Sequence, residues 1–248
     1  MSENPGISQD GSCPNSFFAD TLKAVRPSLR SAKKEFRPPV LSTAEFYGRE
    51  FVINSDVLIP RPETEQMVDM VLSLAGKPYL PGVKPSEAVL AEDLTILDVG
   101  TGSGCIAATL KLELPKAKVW ASDVSNEALA VARENARRLA ADIKFIKNDL
   151  LQGLKVHPEL VVANLPYVDE SWEWIDKKAL NKEPRLALYA EDGGLALIKK
   201  LIDQVTKRKI KHLILEADPG QHERIQEYAK KKGLTLSETR GFILYFRN

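Results

Sequence analysis

From Leu94 onward, short apolar runs alternate with stretches of helical spacing, and polar residues close the runs. Leu94–Val99, Lys118–Ser122, Ile143–Ile146, Leu160–Ala163 and Ile210–Glu216 read as strands. Helices are predicted between and after them, over 103–113, 126–140, 192–208 and 220–232. Parallel strands need a crossover connection, and a helix supplies it. The last two runs, 234–238 and 242–247, read as a hairpin that adds an antiparallel strand to the sheet. The predicted class is α/β. It is a Rossmann-like, mostly parallel seven-stranded sheet with helices on both faces and an antiparallel C-terminal hairpin strand.

Ahead of this core the pattern changes. Residues 1–44 read as a shortened N-terminal extension. Its first twenty positions are rich in Ser, Asn, Gly and Pro and are expected to be disordered; residues 21–40 hold one short helix that Pro38-Pro39 stops. Residues 45–93 are expected to contain a hairpin over 45–59, a loop, a helix and a Pro- and Gly-rich linker from residue 76. The hairpin turns at Gly48 and includes Val57-Leu58-Ile59. The helix starts at Pro62, because proline suits the first helical position and Glu63 and Glu65 complement the helix dipole. Residues 94–248 are then expected to form the α/β domain.

At 248 residues, with 44% hydrophobic and 28% charged, the chain can bury a full core. No apolar run is long enough to span a bilayer and no secretory signal pattern opens the chain, so a cytoplasmic monomer without a membrane partner is expected. Cys13 and Cys105 make no disulfide framework, and His157, His212 and His222 lack metal-ligand spacing, so no metal is expected. A net charge of +1 gives no argument for stable nucleic-acid binding. Basic clusters at 23–37, 199–211 and 230–232 read either as solvated helix faces or as docking points for RNA or a ribosome-associated partner.

In an open parallel sheet, ligands bind beyond the carboxyl ends of the strands. The polar residues there are Asp98, Asp123, Asp149 and Asn164. Asp98 leads into Gly100-Thr101-Gly102-Ser103-Gly104, whose glycines let backbone approach a ligand. A glycine turn also serves a plain strand-to-helix connection, and Cys105 departs from a dinucleotide fingerprint. Asp123, with Val124 after it, suits the two hydroxyls of a ribose, or it caps the next helix, as Ser125 can. Asp149, with Leu150 after it, suits an adenine amino group or is a loop carboxylate. The three strand-end carboxylates together point to a nucleoside-like cofactor.

Asn164-Leu165-Pro166-Tyr167 carries the reaction. An amide nitrogen is a poor nucleophile because its lone pair is delocalised. The Asn164 side-chain oxygen and the carbonyl of Leu165 or Pro166 can accept from a substrate –NH2 and orient it. Pro166 fixes the turn, and Tyr167 offers a ring to a planar substrate and to a sulfonium cation. No strong base is required if the proton leaves after transfer. The combination suggests an N-methyltransferase using S-adenosyl-L-methionine.

These motifs resemble the N5-glutamine methyltransferases of peptide chain release factors, the PrmC/HemK family. Phe46-Tyr47-Gly48 and Val57-Leu58-Ile59-Pro60-Arg61-Pro62-Glu63-Thr64-Glu65 are similar to that family's hairpin and signature loop. Ile96–Gly104 is similar to its cofactor turn, and Glu183-Pro184 and Asp192-Gly193-Gly194-Leu195 to the segment after its catalytic loop. The resemblance implies a class I methyltransferase fold. It also implies that Asn164 and the next carbonyl hold a glutamine amide, and that Arg61, Pro62, Glu63 and Thr64 close over the substrate. The implied partner is a bacterial-type class I release factor, methylated in its Gly-Gly-Gln loop. Arg61 as a surface cation and Glu63 as a helix-start acid are the plainer alternatives. Leu165 stands where the family has a proline; its backbone carbonyl survives the change. Other functions compatible with these residues are N6-adenine methylation of RNA or DNA, with an extruded base, and a non-catalytic adaptor.

Overall fold

The computed structural model describes residues 42–78, 88–173 and 183–248. The expectations for residues 1–41, including the basic stretch 23–37, and for 79–87 of the linker lie outside them.

A two-stranded antiparallel hairpin, β1 (Ser42–Phe46) and β2 (Arg49–Ile53), opens the described chain. Tyr47 and Gly48 turn it, both at positive φ (53° and 68°), which matches the twist that a two-residue hairpin needs. The segment Val57–Ile59 is not a third run of this hairpin. It passes along the cleft described below, with Pro60 and Pro62 unable to donate to a ladder and the Ile59 N–H given to Glu183. Helix α1 (Pro62–Leu74) follows, with Pro at its first position as expected.

The main sheet contains β3 (Thr95–Val99), β4 (Lys118–Asp123), β5 (Ile143–Lys147), β6 (Leu160–Ala163), β7 (His212–Glu216), β8 (Thr235–Arg240) and β9 (Ile243–Arg247). Their spatial order is β5-β4-β3-β6-β7-β9-β8, with β9 antiparallel to both neighbours. The order reverses between β3 and β6, which pair in parallel with Leu97 beside Val161 and Asp98 beside Val162. A cleft opens at such a reversal, outside the strand ends.

Helices α2 (Cys105–Glu113), α3 (Asn126–Arg138), α4 (Arg185–Leu188), α5 (Ala196–Lys207) and α6 (His222–Lys231) complete the described elements, with a 3-10 turn at Pro219–Gln221. At two places the backbone moves a helix start from the predicted one. Gly104, at φ 80°, sits just ahead of α2 and delays it to Cys105. Asp192, Gly193 and Gly194 all have positive φ, so α5 begins only at Ala196.

Central strands are covered on both faces, so β6 is apolar throughout and the middles of β3 (Ile96-Leu97) and β7 (Leu213–Leu215) are apolar as well. Ile96, Val162 and Ile214 pack toward α1 and α2; their neighbours Leu97, Val161 and Leu213 pack toward α5 and α6. One buried amide links the hairpin to the glycine turn after β3. Asn135 of α3, 1% exposed, accepts from the Val52 N–H at 2.7 Å and donates to the Val52 and Ser103 carbonyls at 2.9 Å. Every polar atom of that side chain is satisfied, as burial requires.

Candidate active site

At the reversal lies a cleft of about 600 Å³. The turn after β3, the ends of β4, β5 and β6, the 56–64 loop and Leu186 line it. Of the residues singled out in the sequence, Gly100, Thr101, Gly102, Asp123, Val124, Asp149, Leu150, Asn164, Leu165, Pro166, Arg61 and Thr64 line this wall. Asp98, Gly104, Pro62, Glu63 and Tyr167 do not.

The glycines of the turn differ in what they permit. A Cβ on Gly100 would lie 3.0 Å from Leu165 Cδ2, and one on Gly104 would lie 3.0 Å from Ala132 Cβ. Gly104 thus lets α2 approach α3. A Cβ on Gly102 would meet nothing within 4 Å, so this backbone is open to a ligand. Asp98 stands fully buried behind the turn, where it accepts from Thr101 Oγ1 at 2.6 Å. Burial pushes its carboxyl up to about 7, against the Thr101 hydrogen bond.

Asp123 accepts from the Gly102 N–H at 3.0 Å and from the Ser125 N–H at 2.9 Å. Ser125 Oγ accepts from the Ala128 N–H at 3.1 Å, so the serine caps α3 and the aspartate keeps spare lone pairs at the cleft. Val124 beside it is 50% exposed, an apolar side chain left uncovered in the wall, and Leu186, which also lines the cleft, is 64% exposed. An acceptor carboxylate, an uncovered apolar surface and open glycine backbone are together suited to a ribose and a flat base. Asp149 meets Lys200 Nζ at 2.7 Å on the rim of the same wall.

At the end of β6, Asn164 Nδ2 donates to Thr64 Oγ1 at 3.0 Å. Among the described residues nothing donates to Asn164 Oδ1 or to the Leu165 and Pro166 carbonyls. Three acceptors are thus left on one short loop. The Leu165 side chain is 4% exposed and packs with Val99, Ala163 and Leu195, so it anchors the loop to the core. Tyr167 turns from the large cleft to an adjoining cavity of about 150 Å³, which Arg61, Asn164 and Glu216 also line. Its hydroxyl donates to Glu216 Oε1 at 3.2 Å, and its carbonyl accepts from Gln221 Nε2 at 2.8 Å. Burial, then the Glu216 charge, pushes the phenol above its ordinary range.

Glu183 holds the 56–64 loop. Its side chain, 4% exposed, pairs with Arg61 Nη2 at 2.5 Å and accepts from the Ile59 N–H at 2.9 Å. Thr64 is 2% exposed; Pro62 and Glu63 face solvent. Three contributors escaped the sequence reading: Glu183 as the loop's anchor, Gln221 as the clamp on Tyr167, and Glu216. The signal for Glu216 was present, since it closes an apolar strand as Asp123 and Asn164 nearly do. Glu183 and Gln221 act across long separations that a single sequence does not reveal.

Among the described residues no helix is long and apolar enough to cross a membrane. The model of the methyltransferase small domain family matches residues 87–200. A human methyltransferase 10 domain containing protein superimposes with a TM-score of 0.54 at 18% identity, over 81% of this chain and 88% of that one, which shows the fold. The release factor glutamine methyltransferase of Enterococcus faecalis is 42% identical over 167 residues, 66% of this chain and 55% of that protein. This chain therefore spans little more than half the length of that relative. The enzyme of the same name from Flavobacterium psychrophilum is 37% identical over 207 residues, 82% of this chain and 67% of that one. Likeness of that extent makes the chain a member of the release factor glutamine methyltransferase family.

Proposed function

We propose that the chain transfers a methyl group from S-adenosyl-L-methionine to the side-chain nitrogen of a glutamine, in the Gly-Gly-Gln loop of a class I peptide chain release factor. The observation that carries this is the acceptor set at Asn164, Leu165 and Pro166, with no donor from the described residues, at the mouth of a nucleoside-sized cleft. A primary amide –NH2 has two protons to donate, and two adjacent acceptors take both.

When bound, the cofactor supplies an electrophilic methyl group on sulfur. Asp123 would hold its ribose, Val124 and Leu150 its base, and the Gly100–Gly102 backbone its amino-acid end, with Thr101 fixed by Asp98 behind. Asn164 Oδ1 and the Leu165 carbonyl accept the two substrate N–H bonds, which draws electron density onto the nitrogen and turns its lone pair toward the cleft. Positioning of this kind supplies much of the acceleration when the nucleophile is weak. Pro166 and buried Leu165 keep the carbonyl from swinging away. Arg61, docked on Glu183, holds the 56–64 loop over the cleft, where Leu58 and Pro60 exclude water. The proton leaves the nitrogen for solvent after transfer.

Incubation with methyl-labelled cofactor and a bacterial class I release factor tests this. Label should appear on the wild-type factor and be lost when the acceptor Gln is changed to Ala. Equal labelling of both, or label in added RNA or DNA instead, would overturn the proposal.

A further inference from the structure

A carboxamide is nearly symmetric in shape, so something must decide which end of Asn164 faces the substrate. With Nδ2 outward, a donor would meet the donors of the glutamine amide, and both would lose. The bond from Asn164 Nδ2 to Thr64 Oγ1 points the nitrogen away. Yet a threonine hydroxyl can donate as readily as it accepts. By itself, Thr64 would hold either end of the amide.

The group behind it breaks the tie. Glu216 closes β7, one position past Leu215, which pairs with Ala163 just before Asn164. Its side chain is 1% exposed. Tyr167 serves Oε1, while Oε2 is buried with no hydrogen-bond partner. We infer that Thr64 directs its only proton at Glu216, so that Thr64 and Glu216 act as positioning residues that lock the Asn164 amide with Oδ1 toward the substrate. The inference rests on the proposed role of Asn164 in holding the glutamine amide. An ionised carboxylate accepts only. It takes the Thr64 proton, leaves Thr64 nothing but lone pairs for Asn164, and thereby fixes the amide. A protonated Glu216 donates to Thr64 instead. The Thr64 proton then turns to Asn164 and favours the flipped amide.

The lock therefore depends on the charge of Glu216. Burial pushes this carboxyl up to about 7; the neighbouring Thr64 and Tyr167 hydroxyls and the Asn164 amide favour the ionised form and oppose the rise, and the Glu63 charge adds to it. The groups around it are Glu63 and Thr64 of α1, Tyr167 and Asn164 after β6, Arg61 across the small cavity, and the Cys105 thiol of α2.

Thr64→Val, Thr64→Ser, Glu216→Gln and Asn164→Ala, assayed with labelled cofactor and a release factor, test the relay. Thr64→Val should lower kcat at least tenfold while S-adenosylhomocysteine binds as to wild type, and Thr64→Ser should restore kcat to within about threefold. Wild-type kcat should rise with pH through about 7, and Glu216→Gln should lose that limb. If Thr64→Val does not fold, the pH limb still decides. A silent Thr64→Val, a Thr64→Ser as poor as valine, or an acid limb that survives Glu216→Gln would overturn the relay while Asn164→Ala remains inactive. An active Asn164→Ala would overturn the role of Asn164 as well.

Discussion

Glu183→Ala isolates the anchor of the 56–64 loop. The wild-type carboxylate makes two bonds, to the Ile59 N–H at 2.9 Å and to Arg61 at 2.5 Å, and is itself nearly fully buried. Charge-assisted hydrogen bonds contribute roughly 1.5–3 kcal/mol each. The Arg61 side chain is a third exposed, so solvent screens its share toward the low end. The two together hold the docked loop by about 3 kcal/mol, or about a hundredfold in its population. Among the described residues, neither the turn after β3 nor Asp123 shares a hydrogen bond or ion pair with Glu183. The variant should therefore bind S-adenosylhomocysteine within a few-fold of wild type by calorimetry. Its kcat/KM for the release factor should fall by 30- to 100-fold, on the order expected from that loss. Glu183→Gln keeps an acceptor for Ile59 and should fall between the two. A Glu183→Ala enzyme with wild-type kcat/KM, folded by circular dichroism, would refute a docked loop as part of the working site.

Other expectations follow from single contacts. Gly194 has φ 81°, and a Cβ there would overlap the Tyr167 carbonyl and Gln221; Gly194→Ala should push the Asn164–Tyr167 loop aside and cut turnover by at least tenfold, which steady-state kinetics would show. Leu165→Pro would recreate the family's loop but remove a side chain that is 4% exposed, so activity should persist while denaturant unfolding shows a loss of about 2 kcal/mol. Asp98 and Glu216 are each pushed up to about 7 by burial, so the folded state keeps protons that the unfolded chain has already lost. Their contribution to stability is full below the ordinary carboxylate range near about 4 and is lost as pH rises through about 7. Glu216→Gln mimics the protonated group. Its melting temperature relative to wild type should rise between pH 5 and 8, and a constant difference would speak against a perturbed Glu216.

The sheet was legible because its physics is local. Runs such as Leu160–Ala163 are apolar throughout because both faces are covered, and Pro62 and Ser125 mark helix starts by their own chemistry. Val57–Ile59 looked like a strand for the same reason, and only the prolines around it and the distant Glu183 explain why it is not one. Within the site, strand ends located Asp123, Asn164 and the glycine turn. Asp98 matched the same rule yet lies behind the turn, holding Thr101, because side-chain direction at the last strand positions depends on the pleat. What stayed hidden were partners far apart in sequence: Thr64 under Asn164, Glu183 under Arg61, Gln221 under Tyr167. The hydrogen bonds that orient a catalytic loop come from other elements, and no periodicity records them.

Single-turnover methyl transfer to a release factor by Asn164→Ala, with S-adenosylhomocysteine affinity measured on the same preparation, bears most directly on how this cleft works. One positioning bond in a closed site contributes on the order of 1.5–3 kcal/mol, so the rate should fall at least tenfold while product affinity stays within a few-fold of wild type. An unchanged rate would mean that the glutamine amide is held by something other than the Asn164 loop.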